Sequence, residues 1–309
     1  MRLGMVGLGK MGGNMSERLR SAGHQVVGYD RNPQVSDVPD LTGLVAALDD
    51  APRAVWVMVP SGEPTESAIE ELAGLLAPGD VVVDGGNSNF RDSQLHGSLL
   101  AERGIGFVDC GTSGGIHGLL EGYCLMVGGD PAHVAVVQPA FDALRPPEGG
   151  FAHVGGVGAG HFTKMVHNGI EYGLMQAYAE GYELLTAVDF DLDVDAAFEA
   201  WRHGSVVRSW LLDLLNIALQ QEDGISDIRG YAADSGEGRW TVNEAVRLAV
   251  PLPVISAALF ARFASRQDES PAMRVVAALR TQFGGHSSEA IGRRPAESTT
   301  EVDGQVRPG

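Results

Sequence analysis

Four side chains that can exchange protons or bind hydroxyl groups lie within eight residues near the middle of the chain: Lys164, His167, Asn168 and Glu171. A helix of 3.6 residues per turn places these positions, i, i+3, i+4 and i+7, on one face. That face would present a cation, an imidazole, an amide and a carboxylate to one small molecule. An ordinary solvated helix face with stabilising i,i+4 pairs would show the same spacing. The residues that precede this segment favour the first interpretation.

The N-terminal residues match a dinucleotide-binding unit. Residues 2–9 are predicted to form a buried strand that ends in the pattern Gly7-x-Gly9-x-x-Gly12, and a helix is predicted from Met11 to Ala22. A second strand, His24 to Asp30, ends in an acid 23 positions after Gly7. Such glycines let a pyrophosphate approach the helix N-terminus, and the acid can accept hydrogen bonds from a ribose 2′-hydroxyl.

The residues after the second strand bear on the choice of cofactor. The carboxylate of Asp30 would repel the 2′-phosphate of NADP, which favours NAD. Arg31 leaves NADP open, because an arginine here can stack on adenine or pair with that phosphate. The predicted cofactor-binding residues are Gly7, Leu8, Gly9, Lys10, Met11, Gly12, Asp30, Arg31, Val59, Pro60 and Asn87.

Strand-like and helix-like segments alternate through the first half of the chain, at Ala54 to Val59, Thr65 to Leu76 and Val81 to Asp84. This alternation predicts an α/β fold, a Rossmann-type doubly wound sheet whose loops at the carboxyl ends of the strands form the site. Glycine-rich loops follow Asp84 and the strand Gly106 to Asp109, and their exposed backbone N–H groups can hold an anion.

The second half of the chain is predicted to be helical. The predicted helices are Phe162 to Leu185, Val194 to Trp201, Trp210 to Leu219, Thr241 to Leu248 and Val254 to Ala264. On the first of them, Met165, Val166 and Ile170 are expected to point away from the reactive face. We therefore predict a dinucleotide-binding domain at 1–157, an all-α domain at 158–286 and a flexible polar tail at 287–309.

Composition limits the classes of partner. Lys and Arg total 22 against 40 Asp and Glu, a formal charge of −18, which disfavours nucleic acid and anionic membranes. An N-terminus that enters a strand directly, without a long apolar run, favours a cytoplasmic protein. Cys110 and Cys124 are in no metal-ligand spacing, so no metal is predicted and both are expected to be reduced core residues.

Taken together, these residues resemble the decarboxylating 6-phosphogluconate dehydrogenases of the pentose phosphate pathway. The likeness runs from Met1 to about His286, and its most specific part is the run Lys164-Met-Val-His-Asn-Gly-Ile-Glu-Tyr172. The loops Asp84-Gly-Gly-Asn87 and Ser113-Gly114-Gly115 also match. Two later segments, Phe260-Ala-Arg262 and Arg280-Thr-Gln-Phe-Gly-Gly-His286, are similar to the family's phosphate-binding arginine and its Arg/His tail.

The resemblance implies a role for each of these residues. Lys164 would take the C3-hydroxyl proton while hydride leaves C3 for the nicotinamide, and Glu171 would protonate C1 after loss of carbon dioxide. His167 and Asn168 would bind the sugar hydroxyls. Asn87, judged by its loop alone, could bridge the nicotinamide end and a substrate hydroxyl, although asparagine beside glycine is commonly a turn residue. Ser113, Gly114 and Gly115 would bind the carboxylate, and Tyr172, Arg262, Arg280 and His286 the phosphate.

The sequence also departs from the family pattern. It is much shorter than the long form, so the resemblance implies a homodimer or homotetramer in which Arg280 and His286 reach a neighbouring active site. Ser235, in Ser235-Gly-Glu-Gly-Arg239-Trp240, stands where the family has a phosphate-binding lysine. Phosphate binding then relies on Ser235 and the arginines, or the substrate is a non-phosphorylated sugar acid such as gluconate.

Two other functions remain open. Another β-hydroxyacid dehydrogenase, such as the 3-hydroxyisobutyrate type, resembles this chain in fold, in the Ser-Gly-Gly loop and in the catalytic lysine. Simple oxidation does not need an acid such as Glu171, so that residue favours the decarboxylating reaction. A non-catalytic dinucleotide-binding regulator is the third possibility, but it would have no use for both Lys164 and Glu171 on one face.

Overall fold

The computed structural model describes residues 1–48, 51–221 and 224–284. Its strands are β1 Arg2–Val6, β2 Gln25–Tyr29, β3 Ala54–Val57, β4 Val81–Asp84, β5 Gly106–Ser113, β6 Cys124–Gly129 and β7 Phe151–Gly155. They form one seven-stranded sheet in the order β2-β1-β3-β4-β5-β6-β7. The strands from β1 to β5 pair in parallel, β6 is antiparallel to β5, and β7 is parallel to β6.

Helices follow most of the strands and fill the second half of the chain. They are α1 Lys10–Ser21, α2 Leu41–Ala46, α3 Glu63–Leu75, α4 Phe90–Ala101, α5 Gly118–Glu121, α6 Pro131–Leu144, α7 Ala159–Thr186, α8 Val194–Trp201, α9 Trp210–Leu219, α10 Glu237–Leu248, α11 Pro253–Ala264 and α12 Pro271–Gly284. The predicted fold class, a Rossmann-type sheet followed by a helical region, is confirmed.

The central strands are buried on both faces. Every residue of β3 and β4 is buried, which fits the apolar sequence of β3 and the three valines of β4, because parallel strands are normally covered by helices on each side. Two apolar clusters result, one containing Trp56 and Phe141 and the other containing Ile69 and Leu100. The carboxyl ends of the strands are thereby held in fixed positions for the loops that follow them.

Contacts divide the chain into two compact units. Of the described residues, the first unit contains those within 1–228 and 234–260, and the second contains 229–233 and 261–284. The sheet and α7 to α10 belong to the first unit, whereas α12 belongs to the second. The division at residue 158 stays a prediction, and the predicted tail at 287–309 lies outside the described residues. Within the described residues, no helix has the length and apolar run needed to cross a membrane.

Two sequence expectations were wrong. Cys110 is buried as expected, but Cys124 is exposed at the start of the antiparallel strand β6. Val166 and Ile170 do not turn away from the reactive face of α7, because both line the same cavity as Lys164, and the side chain of Ile170 is 53% exposed. The apolar positions of α7 therefore divide between core and cavity wall.

Candidate active site

The helix α7, which carries Lys164 and Glu171, is fixed to the sheet by one buried carboxylate. Asp109, on β5, is fully buried and accepts hydrogen bonds from the backbone N–H groups of Gly158, at 2.6 Å, and His161, at 2.8 Å. These groups lie at the start of α7, where backbone donors have no partner within the helix. Asp109 therefore satisfies them and sets the position of the helix that carries the reactive face.

Lys164 lies where this helix contacts β5. Its Nζ donates a 2.7 Å hydrogen bond to the carbonyl of Thr112. Gly111 makes the approach possible, because a Cβ added there would meet Cβ of Lys164 at 2.5 Å. The amine is therefore fixed at the end of β5, beside the loop that begins at Ser113.

Two cavities meet at Lys164. One, of about 710 Å³, is bordered by the glycine turn that follows β1, and the other, of about 1160 Å³, by the reactive face of α7. The residues that line both are Met11, Asn87, Thr112 and Lys164. A molecule in the first cavity and a molecule in the second would both reach the Lys164 amine.

The smaller cavity has the features of a dinucleotide site. A Cβ added at Gly12 would meet the carbonyl oxygen of Gly7 at 2.0 Å, so helix and turn approach each other as closely as a glycine allows. Asp30 faces the same turn, because its Oδ2 accepts a 2.7 Å hydrogen bond from the N–H of Leu8 and its Oδ1 a 2.8 Å bond from Asn32. These residues fit NAD, which needs a close backbone approach for its pyrophosphate and an acid beside its ribose.

The larger cavity brings together most of the residues predicted to bind the substrate or to exchange protons with it. Those that line it are Asn87, Ser113, Gly114, Gly115, Lys164, His167, Asn168 and Glu171. Gly114 has a φ of 126° and Gly115 a φ of 52°, a conformation that favours glycine and leads into a short 3₁₀ turn. The loop can therefore present backbone N–H groups to an anion beside Lys164.

Burial changes the acid–base properties of Lys164. Removal from water lowers the pKa of its amine, while the nearby carboxylates of Glu237 and Glu171 act in the opposite direction. Cys110 is also close, but burial raises the pKa of its thiol to about 12, so it carries no charge at neutral pH. The net effect is a pKa below the ordinary value for lysine, as a general base requires.

Comparison with known proteins supports the same family. Residues 2–146 match the model of the NAD binding domain of 6-phosphogluconate dehydrogenase, and residues 160–301 match that of the 6-phosphogluconate dehydrogenase C-terminal domain. A Bacillus subtilis (strain 168) protein, provisionally named a 6-phosphogluconate dehydrogenase, is 41% identical over 298 residues, which cover 94% of this chain and 99% of that protein. The chain belongs to the 6-phosphogluconate dehydrogenase family.

Other members of the family extend the likeness. An NAD⁺-dependent decarboxylating 6-phosphogluconate dehydrogenase of Haloferax volcanii is 40% identical over 296 residues, covering 93% of this chain and 98% of that protein. The Plasmodium falciparum 6-phosphogluconate dehydrogenase has a TM-score of 0.80 at 26% identity, over 96% of this chain and 67% of that one. A Mycobacterium tuberculosis 3-hydroxyisobutyrate dehydrogenase, at 22% identity and a TM-score of 0.69 over 90% of this chain and 99% of that one, shares the fold alone.

Within the described chain, the residues predicted to bind the substrate phosphate are not placed with the other predicted substrate residues, which line the larger cavity. Tyr172 is buried and does not line the cavity, and its hydroxyl accepts a 3.3 Å hydrogen bond from the N–H of Ser235. Arg262 and Arg280 belong to the second compact unit, and their phosphate-binding role stays a prediction. His286 lies outside the described residues.

The sequence analysis does not identify two buried acids near the candidate site, Asp109 and Glu237. Asp109 was interpreted as the end of a strand, although a fully buried carboxylate there requires backbone donors. The sequence predicts the helix from Thr241, one turn too late, whereas α10 begins at Glu237. The pattern Gly-Glu-Gly in front of an amphipathic segment was the available signal for the second.

Proposed function

We propose that the chain catalyses the oxidative decarboxylation of 6-phosphogluconate to ribulose 5-phosphate and carbon dioxide, with NAD as hydride acceptor. The observation that carries this proposal is the position of Lys164, which lines both cavities, together with Glu171 on the wall of the larger one. A base at the junction can reach a substrate hydroxyl beside a nicotinamide. An acid in the same cavity can complete a reaction that oxidation alone does not require.

Lys164 acts as the general base for the oxidation. Burial lowers the pKa of its amine, so that part of the population is neutral at a lower pH than for an exposed lysine. The hydrogen bond from its Nζ to the Thr112 carbonyl keeps the amine beside the Ser113 loop. In this position Lys164 takes the proton of the C3 hydroxyl. NAD, when bound in the glycine-lined cavity, supplies the hydride acceptor.

Glu171 acts in the second half of the reaction. Oxidation at C3 makes a β-keto acid, whose ketone accepts the electrons released when carbon dioxide leaves. Glu171 then delivers a proton to C1 of the resulting enediol. It is two helical turns from Lys164, about 10 Å along the axis, and lines the same cavity. The two residues therefore divide proton removal and proton delivery between them.

Polar groups around the two reactive residues hold the substrate. The N–H groups of the Ser113-Gly114-Gly115 loop bind its carboxylate, and Asn87, His167 and Asn168 bind its hydroxyls. The imidazole of His167 and the amide of Asn168 are joined by a 2.9 Å hydrogen bond, so they act as one unit. Tyr172, Arg262, Arg280 and His286 provide the phosphate site in this proposal.

Two observations favour NAD over NADP. The carboxylate of Asp30 is held at the glycine turn by the N–H groups of Leu8 and Asn32, so its negative charge cannot easily move aside. A second carboxylate, that of Asp37, lies nearby. It accepts a hydrogen bond from the N–H of Gly28 on β2, the strand that leads to Asp30. A 2′-phosphate would have to enter beside both charges, which Arg20 and Arg31 would offset in part.

Assembly is part of the proposal, because α12 carries one of the predicted phosphate residues. All its side chains from residue 271 to residue 280 are exposed, including the apolar side chains of Met273, Val275, Val276 and Leu279. An exposed apolar helix of this kind supports contact with a second chain. We propose a homodimer or homotetramer in which Arg280 and His286 complete a neighbouring site.

A non-phosphorylated sugar acid is the second candidate substrate. The segment that contacts Tyr172 presents Ser235, an uncharged residue, where the family has a lysine. One assay separates the candidates: release of carbon dioxide and formation of reduced cofactor from 6-phosphogluconate and from gluconate, each with NAD and with NADP. We expect equal amounts of both products, with 6-phosphogluconate and NAD preferred. Cofactor binding without turnover of either acid would favour a non-catalytic role.

A further inference from the structure

Glu237 is a buried carboxylate next to the active site. It is the first residue of α10, directly after Gly236 with a φ of 97°, and only 3% of it is exposed. Within the described residues, it is not among those that line either cavity. A buried carboxylate is costly to retain unless charged or hydrogen-bonded partners compensate for the loss of water.

The partners of Glu237 are residues of the proposed chemistry. Its carboxylate has a side-chain hydrogen bond with Asn87, the residue that lines both cavities, and it interacts electrostatically with Lys164, Glu171 and His167. Among the acidic groups near Lys164, Glu237 has the largest influence on the amine. One carboxylate thus interacts with the loop after β4 through Asn87 and acts electrostatically on the reactive face of α7.

The helix that carries Glu237 is fixed against α7. The hydroxyl of Thr241, one turn after Glu237, donates a 2.8 Å hydrogen bond to the carbonyl of Met165, the residue next to Lys164. At the start of the helix, the N–H of Ser235 donates to the hydroxyl of Tyr172 at 3.3 Å. The place of Glu237 beside Lys164 is therefore determined by contacts on both sides of it along the chain.

We propose that Glu237 is a positioning residue for the proposed reaction: from the turn of α10 that packs against α7, its buried carboxylate orients the Asn87 amide and sets the charge environment of the Lys164 amine, where the substrate and the nicotinamide meet. The inference rests on the proposed function for its catalytic meaning. Its physical content, a link between Glu237 and the state of Lys164, can be measured without substrate.

The sign of the electrostatic effect follows from the charges. A carboxylate near an amine favours the ammonium form, so Glu237 raises the pKa of Lys164 against the larger lowering effect of burial. Removing this charge lowers the pKa of Lys164 further. The titratable groups that face the amine are Glu237 on α10, Glu171 on α7, Cys110 on β5 and Asp84 on β4. Burial raises the pKa of Glu237 itself, and Lys164 counteracts this.

The chain offers a direct way to observe the amine, because Lys10 and Lys164 are its two lysines. NMR of protein labelled with ¹³C-lysine would follow both side chains as the pH is changed, and Lys10→Arg would assign the remaining signal to Lys164. We expect Glu237→Gln to shift the titration of Lys164 to lower pH. Glu237→Ser removes the same charge and serves if the glutamine variant does not fold.

Glu244 is the matched control. It lies on the same helix, is also buried, and forms ion pairs with Arg91, at 2.8 Å, and Arg247. Glu244→Gln should reduce stability while leaving the Lys164 titration where it is in the wild type. If Glu237→Gln likewise leaves that titration unchanged, Glu237 is a structural residue and the proposal is wrong.

Kinetics provide the second readout. In Glu237→Gln the acidic limb of the kcat/KM profile for the sugar acid should move to lower pH, in step with the amine. We expect kcat to fall about 10-fold to 100-fold, because small displacements of reacting groups cost that much, while the Kd of NAD changes less than about twofold. A wild-type protein that turns over no sugar acid would overturn the proposed function, but the NMR titration would still test the link to Lys164.

Discussion

The N–H of His161 donates a 2.8 Å hydrogen bond to Oδ2 of Asp109, and this bond joins the start of α7 to the sheet. Gly158 donates to the other oxygen of the same carboxylate. Asp109→Asn keeps the size of the side chain but replaces one acceptor with a donor, so one of the two bonds is lost. We expect urea denaturation to show a loss of about 1.5–3 kcal/mol, the usual worth of a hydrogen bond to a charged group.

A control for Asp109 comes from another acid that caps a helix. Asp130, at the start of α6, accepts a 2.8 Å hydrogen bond from the N–H of Ala132 and is exposed to solvent. Asp130→Asn should cost less than about 1 kcal/mol, because asparagine caps helices about as well. If the two variants lose the same free energy of unfolding, burial does not strengthen the hydrogen bonds that Asp109 accepts from α7.

Lys164→Met tests the general base. Methionine keeps most of the side-chain length but cannot accept a proton, so turnover should fall at least about 1000-fold. The Kd of NAD should stay within about threefold. Lys10→Met is the comparison: Lys10 lines the smaller cavity alone, so it should weaken NAD binding more than it changes kcat. Retention of more than a few per cent of activity by Lys164→Met would remove Lys164 from this role.

The pH dependence of kcat/KM should report the same amine. The base must be neutral to accept a proton, so activity rises as the pH increases through the pKa of Lys164 in the free enzyme. Burial lowers that pKa, which places the acidic limb below the pH at which an ordinary lysine titrates. Steady-state rates across the stable pH range would measure it. A limb at the position typical of exposed lysine would contradict the effect of burial.

Asp30 should decide between the two nicotinamide cofactors. Asp30→Asn removes the negative charge and keeps an acceptor for one of the two N–H groups, that of Leu8 or that of Asn32. We expect the ratio of kcat/KM for NADP to that for NAD to rise at least about tenfold, or about 1.4 kcal/mol. Asp37→Asn should raise it less, because Asp37 already pairs with Arg20 at 3.0 Å. A wild-type preference for NADP would refute the assignment to NAD.

Arg262 should affect phosphorylated substrate selectively. Arg262→Ala is expected to raise the KM for 6-phosphogluconate at least about tenfold and to leave the KM for gluconate within about twofold, because a charged hydrogen bond to phosphate would be lost. Arg266→Ala is the matched control. Each arginine donates a 3.0 Å hydrogen bond to a backbone carbonyl, Arg262 to Ala233 and Arg266 to Ala232. Equal effects of the two substitutions would show a structural role only.

Much of the fold could be predicted because its signals are local. The glycine turn, the acid at Asp30 and the long helix through Lys164 each depend on short runs of sequence, and the structure contains all three. The strands β6 and β7 were not predicted. The strand β6 is antiparallel to β5, which departs from the parallel pattern of the earlier strands. The sequence of β7 is not enriched in β-branched residues and does not alternate between apolar and polar residues. β7 pairs with β6 across the whole of the intervening helix α6, so its pairing could not be inferred from its own short sequence.

The residues of the candidate site also divide into those that could be predicted from local sequence and those that could not. Lys164 and Glu171 could be identified from their spacing on one helix, and they line one cavity as expected. Glu237 could not, because its importance comes from α10 packing against α7 at Thr241 and Met165, which are far apart in the chain. Asp109 was missed for the same reason. Sequence patterns show which side chains share an element, but not which buried groups support them from another.

The contact between Gly111 and Lys164 restricts how this protein can evolve. A Cβ at position 111 would meet Cβ of Lys164 at 2.5 Å, so even alanine there forces β5 and α7 apart at the residue whose amine bonds the Thr112 carbonyl. Gly111 carries no polar side chain and is not among the described residues that line either cavity, yet we expect its replacement to abolish activity. Random libraries should therefore show position 111 to be as intolerant as the reactive lysine itself, and a survey by residue chemistry alone would overlook it.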